Sequence, residues 1–363
     1  MRRWAKRLGV TLLALIVLLA IPIVWIESAC TASRDPGATK PLSFPNEPGY
    51  ARRPESDSYL SYPKSHVVYA YDDLAGVLRQ GDESDFTSFR QIVGFWTSFC
   101  RLNRLVTAQS PVGFGTKVRI YNTGVRFTAE FGLKGAYEQT LGRLFEWFRG
   151  RGKTAEDRFV AQETQAYATF IRRTPWYEYP FGSRLLAFWR EMPWGGDRQL
   201  RKLERRAVVT VAYGTETVFS VLSGLVSRAT AAASDPTTHT IVLGLTGADV
   251  ARDSRITVLR DLGAGRTLIR TPRHQLYTDL VVDLARRGRD ITEIAGNDDI
   301  LVTVLAPRTS LPALTGVREV FSAPIQSRPD RRRVGLDVSV VRLAATIRAL
   351  ERVGVSVERV YDY

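Results

Sequence analysis

The chain has 363 residues, 44% of them hydrophobic and 10% aromatic, a composition of folded protein that excludes a disordered tail. Its net charge of +14 comes from 51 basic residues, 44 of them arginine and 7 lysine, and arginine forks match carboxylate and phosphate better than lysine does. Two cysteines, Cys30 and Cys100, and three dispersed histidines, His66, His239 and His274, exclude a disulfide scaffold and a Cys- or His-rich metal site, so neither a metal nor another cofactor is expected.

Leu8 to Ile26 form an uncharged apolar run of 19 residues behind Arg2, Arg3, Lys6 and Arg7. A helix of that length rises about 28 Å, close to the roughly 30 Å hydrocarbon core of a bilayer. The run predicts a single-pass transmembrane anchor, with Leu8, Leu13, Leu18, Ile23 and Ile26 in contact with lipid. The basic flank, residues 1–7, stays in the cytoplasm, which places the bulk of the chain in the periplasm or another extracytoplasmic space. Two other readings compete: a cleaved signal peptide with a small-x-small site at Cys30-Thr31-Ala32, and a lipobox ending at Cys30, which Glu27 disfavours. The length of the run favours the anchor in the cytoplasmic (inner) membrane.

Residues 27–58 are rich in Pro, Gly, Arg and Ser and predict a linker. Residues 59–233 predict a mainly helical, aromatic-rich domain. Phe86, Phe89, Ile92, Val93, Trp96 and Cys100 recur at helical spacing, and Cys100 in that stripe reads as a buried free thiol. Val125–Gly142 echoes Ala207–Gly224 at an offset of 82, with small residues spaced for close helix approach. Residues 207–227 carry only one charge, Glu216, so this stretch reads either as a core helix or as a second membrane-embedded or interfacial helix. The cost of an acid in lipid favours the core.

Beyond Asp235 the period changes from 3.6 to 2 and strands are predicted through residues 240–363. Tyr277/Leu343, Val281/Ile347, Leu284/Leu350 and Gly288/Gly354 match at an offset of 66, which marks two βαβ-type units and a ferredoxin-like sandwich. Gly263-Ala264-Gly265 fits a hairpin turn. The fold class expected overall is α+β: a transmembrane helix, a helical middle domain and a ferredoxin-like C-terminal domain.

For chemistry, His66 with Asp72, Asp73 or Glu130 could assemble an acid/base pair, although a solvated Asp72-Asp73 pair is the simpler reading. No phosphate loop or nucleophile elbow is present, and whether the chain is an enzyme stays open. The densest aromatic cluster includes Trp176, Tyr177, Trp189 and Trp194, followed by Arg198, Arg201, Lys202, Arg205 and Arg206. This is the candidate binding surface, and rings packed between helices are the alternative. The expected role is a non-catalytic binding or scaffold module for a protein partner or the membrane surface, with no nucleic acid. The rival is an envelope enzyme or small-ligand sensor using a His/carboxylate pocket.

Overall fold

The computed structural model describes residues 2–32, 53–109, 112–144, 147, 152–172, 174–196, 198–230, 236–309 and 311–362. Most of the expected linker lies outside them. The chain divides into two compact units: Met1–Lys64 with Val93–Thr128 and Asp235–Tyr363, and Ser65–Ile92 with Ala129–Ser234. Three of the boundaries between these units, at 64/65, 92/93 and 128/129, fall inside helices, and the fourth lies at 234/235.

In the first unit, α1 (Arg2–Ala29) carries the apolar run. Val10, Leu13, Val17, Leu18, Ile21 and Val24 are exposed. Ile23 is half-buried, and the side chain of Leu8 lies outside the described ones. Ile26 is fully buried, so it is not available to lipid. The end of α1 is built into the protein beside α4 (Ser88–Gln109) and α5 (Phe114–Tyr137). Asn103 Nδ2 donates to the Cys30 carbonyl at 2.8 Å and Arg104 Nη2 to that of Ala29 at 2.6 Å, which satisfies acceptors a helix end leaves open. Lys117, 1% exposed, sits 2.6 Å from Glu27, and Tyr121 donates to the same carboxylate.

These contacts bring Cys30 to Cys100, and the two form a disulfide across 70 residues of chain. The free-thiol expectation for Cys100 is therefore corrected. The two cysteines look remote in sequence because the side-chain caps that join α1 to α4 leave no local pattern. Behind the disulfide, α4 and α5 approach closely at Gly124. A Cβ there would lie 2.5 Å from the Phe95 ring and 2.8 Å from that of Trp96.

The C-terminal part of this unit forms two four-stranded antiparallel sheets rather than one. The first holds β1 (Thr237–Leu243), β2 (Thr257–Gly263), β3 (Arg266–Pro272) and β4 (Asp290–Ile294) in the order β2-β3-β1-β4. The second holds β5 (Asp299–Pro307), β6 (Val317–Pro324), β7 (Arg331–Ser339) and β8 (Ser356–Val360) in the order β6-β7-β5-β8. The two passes match in register: Ile241 opposes Leu268 as Thr303 opposes Gly335, and Thr240 opposes Ile294 as Val302 opposes Val360. A register shift follows the same position in each, at Ile241/Val242 and at Thr303/Val304.

The first pass carries a short helix, α9 (Gly247–Arg252), between β1 and β2, and α10 (Gln275–Arg286) before β4. The second has no helix between β5 and β6 among the described residues and places α11 (Leu343–Arg352) before β8. Tyr277, Val281, Leu343, Ile347 and Leu350 share one apolar core with β4, β5, β7 and β8, while Leu280 and Leu284 on another face of α10 pack with Val242 and Ile269. Helix α10 is thus apolar on two sides, each serving a different set of strands. The segment around α2 (Glu55–Leu60) docks on the second sheet. Ser58 Oγ accepts from the Leu301 amide at 3.0 Å and donates to the Tyr361 carbonyl at 3.1 Å, and Tyr62 lies 4.2 Å from the Phe321 ring.

The second unit is helical. It contains most of α3 (Tyr62–Gln80), α6 (Ala155–Phe170), α7 (Phe181–Glu191) and the long α8 (Gln199–Thr230), with a π-helical turn at Glu138–Gly142. Phe159, Phe188 and Val209 form its apolar centre. The core-helix expectation for residues 207–227 is corrected here, because Val211, Val218, Phe219, Leu222 and Leu225 are all exposed.

Candidate functional site

Helix α8 opens with the basic stretch. Arg201, Lys202, Arg205 and Arg206 share the helical phase of buried Val209, while Leu200 and Leu203 fall on the exposed side. Arginine on the inward face requires acids to meet it, because an unpaired buried charge is very costly. Three distant segments and Glu204 of α8 itself supply them. Thr154 caps α6 and holds Asp157, whose Oδ1 lies 2.7 Å from Arg201 Nη2. Arg201 also reaches Glu204 at 3.2 Å, and Tyr137 donates to Glu204 at 2.8 Å. Arg205 donates to Glu83 and, at 3.0 Å, to Glu138. Lys134 closes the group at 2.7 Å from Glu83. The π-helical turn sets Glu138 in place, and Gly142 makes room for it: a Cβ there would stand 2.5 Å from the carboxylate.

Burial pushes Glu138 up to about 7, and the neighbouring Glu83 charge adds to the shift. Burial would also raise Glu83, but Lys134 and Arg205 outweigh it and hold that carboxyl well below its ordinary range. Of the pair, Glu83 is therefore the stronger acid and Glu138 the weaker. A cavity of about 10 Å³, room for one water, adjoins Glu83, Asp157, Arg201 and Arg205.

Arg206 links this interior to the aromatic segment. It donates to Glu156 and to the Met192 and Pro193 carbonyls, and its guanidinium lies 4.0 Å from the centre of the Trp194 ring. Trp189 packs 5.6 Å from Trp194 and donates to Thr210 at 3.1 Å. Trp194 is 65% exposed, whereas Trp176 and Tyr177 are half-buried.

The expected binding residues therefore separate. Trp194, Trp189 and Arg198 reach the surface, but Arg201 and Arg205 are only 3% and 2% exposed and serve the interior instead. Their helical phase, shared with Val209, is the signal that a reading of charge alone misses.

The acid/base candidates meet several different partners. His66 is buried with Nε2 3.0 Å from the Gln91 carbonyl, and Asp73 accepts from Gln91 Nε2 at 2.8 Å, so both meet the same glutamine. Asp72 pairs with Arg172, and Glu130 accepts from Tyr71. The solvated reading of the Asp72-Asp73 pair is corrected for Asp73, which is buried. Among the described residues, no group of three or more His, Cys, Asp or Glu could hold a metal.

In the first unit, Pro307, Thr309, Leu311, Pro312, Val353 and Val355 line an open recess of about 290 Å³ with mixed polar and apolar walls, where the second pass has no counterpart of α9 among the described residues. At the start of α10, His274 adopts φ 65, Nδ1 lies 3.0 Å from Arg359, and its amide donates to Asp362. Burial holds His274 below its ordinary pKa, against the opposing charge of Asp362.

Compared with protein-family models, with curated proteins and with solved structures, the chain matches none.

Proposed function

We propose that this chain is a single-pass protein of the cytoplasmic (inner) membrane, with its bulk on the periplasmic or extracytoplasmic side, that works by binding a protein partner or the membrane surface. The observation that carries this reading is the stapled end of α1. An apolar exposed helix leads directly into the Cys30–Cys100 disulfide, the Glu27–Lys117 pair and two side-chain caps. Cleavage after Ala32 would discard Cys30 and leave Lys117 buried without its acid. A lipobox would require the Cys30 sulfur that the disulfide uses. Disulfides persist in oxidising compartments, which supports the exported side for the residues after α1.

For the C-terminal part we infer two ferredoxin-like modules. The element order β-α-β-β-α-β of the first pass supports this, and the second repeats it without the first helix. The exposed Trp194 and Trp189, stacked on an arginine fixed from below, are the proposed contact for a partner. A rigid ring of that kind binds at low entropic cost.

Two measurements test the reading. In intact spheroplasts, an impermeant maleimide should label Leu259→Cys on exposed β2, and labelling only after lysis would reverse the orientation. Native mass spectrometry of the full-length protein, gently extracted from its own membrane, should show a reproducible protein or lipid adduct. A monomer carrying a small metabolite would instead favour the enzyme or sensor reading.

A further inference from the structure

Helix α8 changes character at Ala207. Before it, the charged side chains at 201, 202, 205 and 206 face inward. After it, the outward face is apolar and open. Every exposed position from Leu203 to Leu225 is uncharged, Thr215 being the one polar side chain among them, and the large ones include Leu203, Val211, Val218, Phe219, Leu222 and Leu225. This stripe extends about 33 Å along the helix. Glu216, the single charge between Ala207 and Ser227, falls on the side of buried Val209 and Ser220 and is itself half-buried. The acid that argued against membrane contact therefore does not lie on the exposed face. By length and composition, Gln199–Leu225 would suffice to cross a bilayer.

Its surroundings decide between crossing and lying flat. One flank of α8 is covered by the turn Trp176–Glu178 and by α7, with Tyr177 beside Gly224 and Gly182 against Thr217. That cover carries exposed Glu178, Arg190 and Glu191, and an Arg184–Glu163 ion pair whose arginine is 43% exposed. A spanning pose would sink these charges into hydrocarbon at several kcal/mol each. A pose parallel to the bilayer buries only the stripe. Exposed Arg190 follows Trp189 in the chain and exposed Arg198 lies four residues after Trp194, so positive charge for anionic headgroups stands in the same segments as the tryptophan rings, alongside the exposed acids Glu178 and Glu191.

We infer that the open face of α8 is a second membrane contact, lying in the plane of an anionic bilayer with its apolar stripe at the headgroup–acyl boundary. This rests on the anchored reading, which stations the protein beside a membrane. A helix with one apolar face and a charged, folded opposite side is the form that binds interfaces without crossing them.

The test uses the full chain with its native disulfide, in bilayers of phosphatidylcholine and phosphatidylglycerol. Spin labels are placed singly at Val211→Cys, Val218→Cys and Leu222→Cys, all exposed positions, with Leu13→Cys in α1 as the reference. Collisions with oxygen and with a water-soluble nickel chelate give the depth of each. All three α8 labels should favour oxygen and report one shared shallow depth, about 5–10 Å below the headgroups. The preference should weaken in phosphatidylcholine alone. Free access by nickel, shielding from both reagents as under a protein partner, or a depth that changes steadily along the helix as in a spanning pose would each overturn the proposal. If Leu13→Cys lies deep while the α8 labels sit in water, the anchor stands and only this inference fails. If Leu13→Cys itself is bathed in water, the anchored reading fails.

Discussion

Beneath the strands of the first unit, Val302, Val304, Leu336, Ile347 and Leu350 pack aliphatic side chain against aliphatic side chain. In the helical unit, at the start of α8, Arg201 and Arg205 stand between Asp157, Glu83 and Glu138, where an apolar core would ordinarily be. The difference governs how each interior responds to damage. Apolar packing tolerates the loss of a methylene gradually. A buried ion network fails abruptly, because removing one partner leaves the others charged and desolvated.

The largest expected effect follows from that contrast. Arg205→Ala should lower the stability of the helical unit by about 3–5 kcal/mol, since two glutamates and an aspartate lose a shared cation. Denaturant unfolding of the full chain in mild detergent, followed by amide exchange at α6 and α8, would read it. A loss under about 1 kcal/mol would mean that water already screens the cluster, and the contrast between the cores would disappear.

Ile347→Val in the sheet core should cost less, about 0.5–1.5 kcal/mol, by removing one methylene from a closed apolar site. Amide exchange across β5 and β8 is the appropriate readout. A cost equal to that of Arg205→Ala would show that the sheet core is as unforgiving as the charged one.

How legible each core is follows the same division. The sheet core can be read from sequence because aliphatic alternation and the offset of 66 repeat the same chemistry at each position, as at Tyr277/Leu343 and Val281/Ile347. Edge strand β2 escapes this reading: its residues from Thr257 to Asp261 are all exposed, so no alternation marks them. The α9 turn is too short to show a period. In the helical unit, Arg205 meets Glu83 across 122 positions and Glu138 across 67, and no local pattern announces such partners. Only the helical phase hints at them, through Val209, which lies one helical turn beyond Arg205. The disulfide is hidden for a similar reason, because Asn103 and Arg104 bring Cys30 to α4 through caps on α1.

The smallest effect is a slope rather than a step, and it belongs to the charged core alone. Glu138 is raised in the folded protein to about 7 from an ordinary value of 4.5, by burial and by Glu83 beside it. Between those two values the folded state holds more protons than the unfolded state, so this group's contribution is complete below about 4.5 and is lost as pH rises through about 7. Glu83 acts in the opposite sense, and its contribution is lost only in strong acid, as pH falls through its lowered value. Glu138→Gln removes the first contribution and leaves the second. The melting temperature of the wild type minus that of Glu138→Gln should therefore decline from about pH 5 to about pH 7.5. A flat difference would mean that Arg205 keeps both glutamates ionised throughout, and the cluster would then be a permanent ion pair rather than one poised to take up a proton. Ile347→Val, which leaves every titratable group in place, should run parallel to the wild type over the same range.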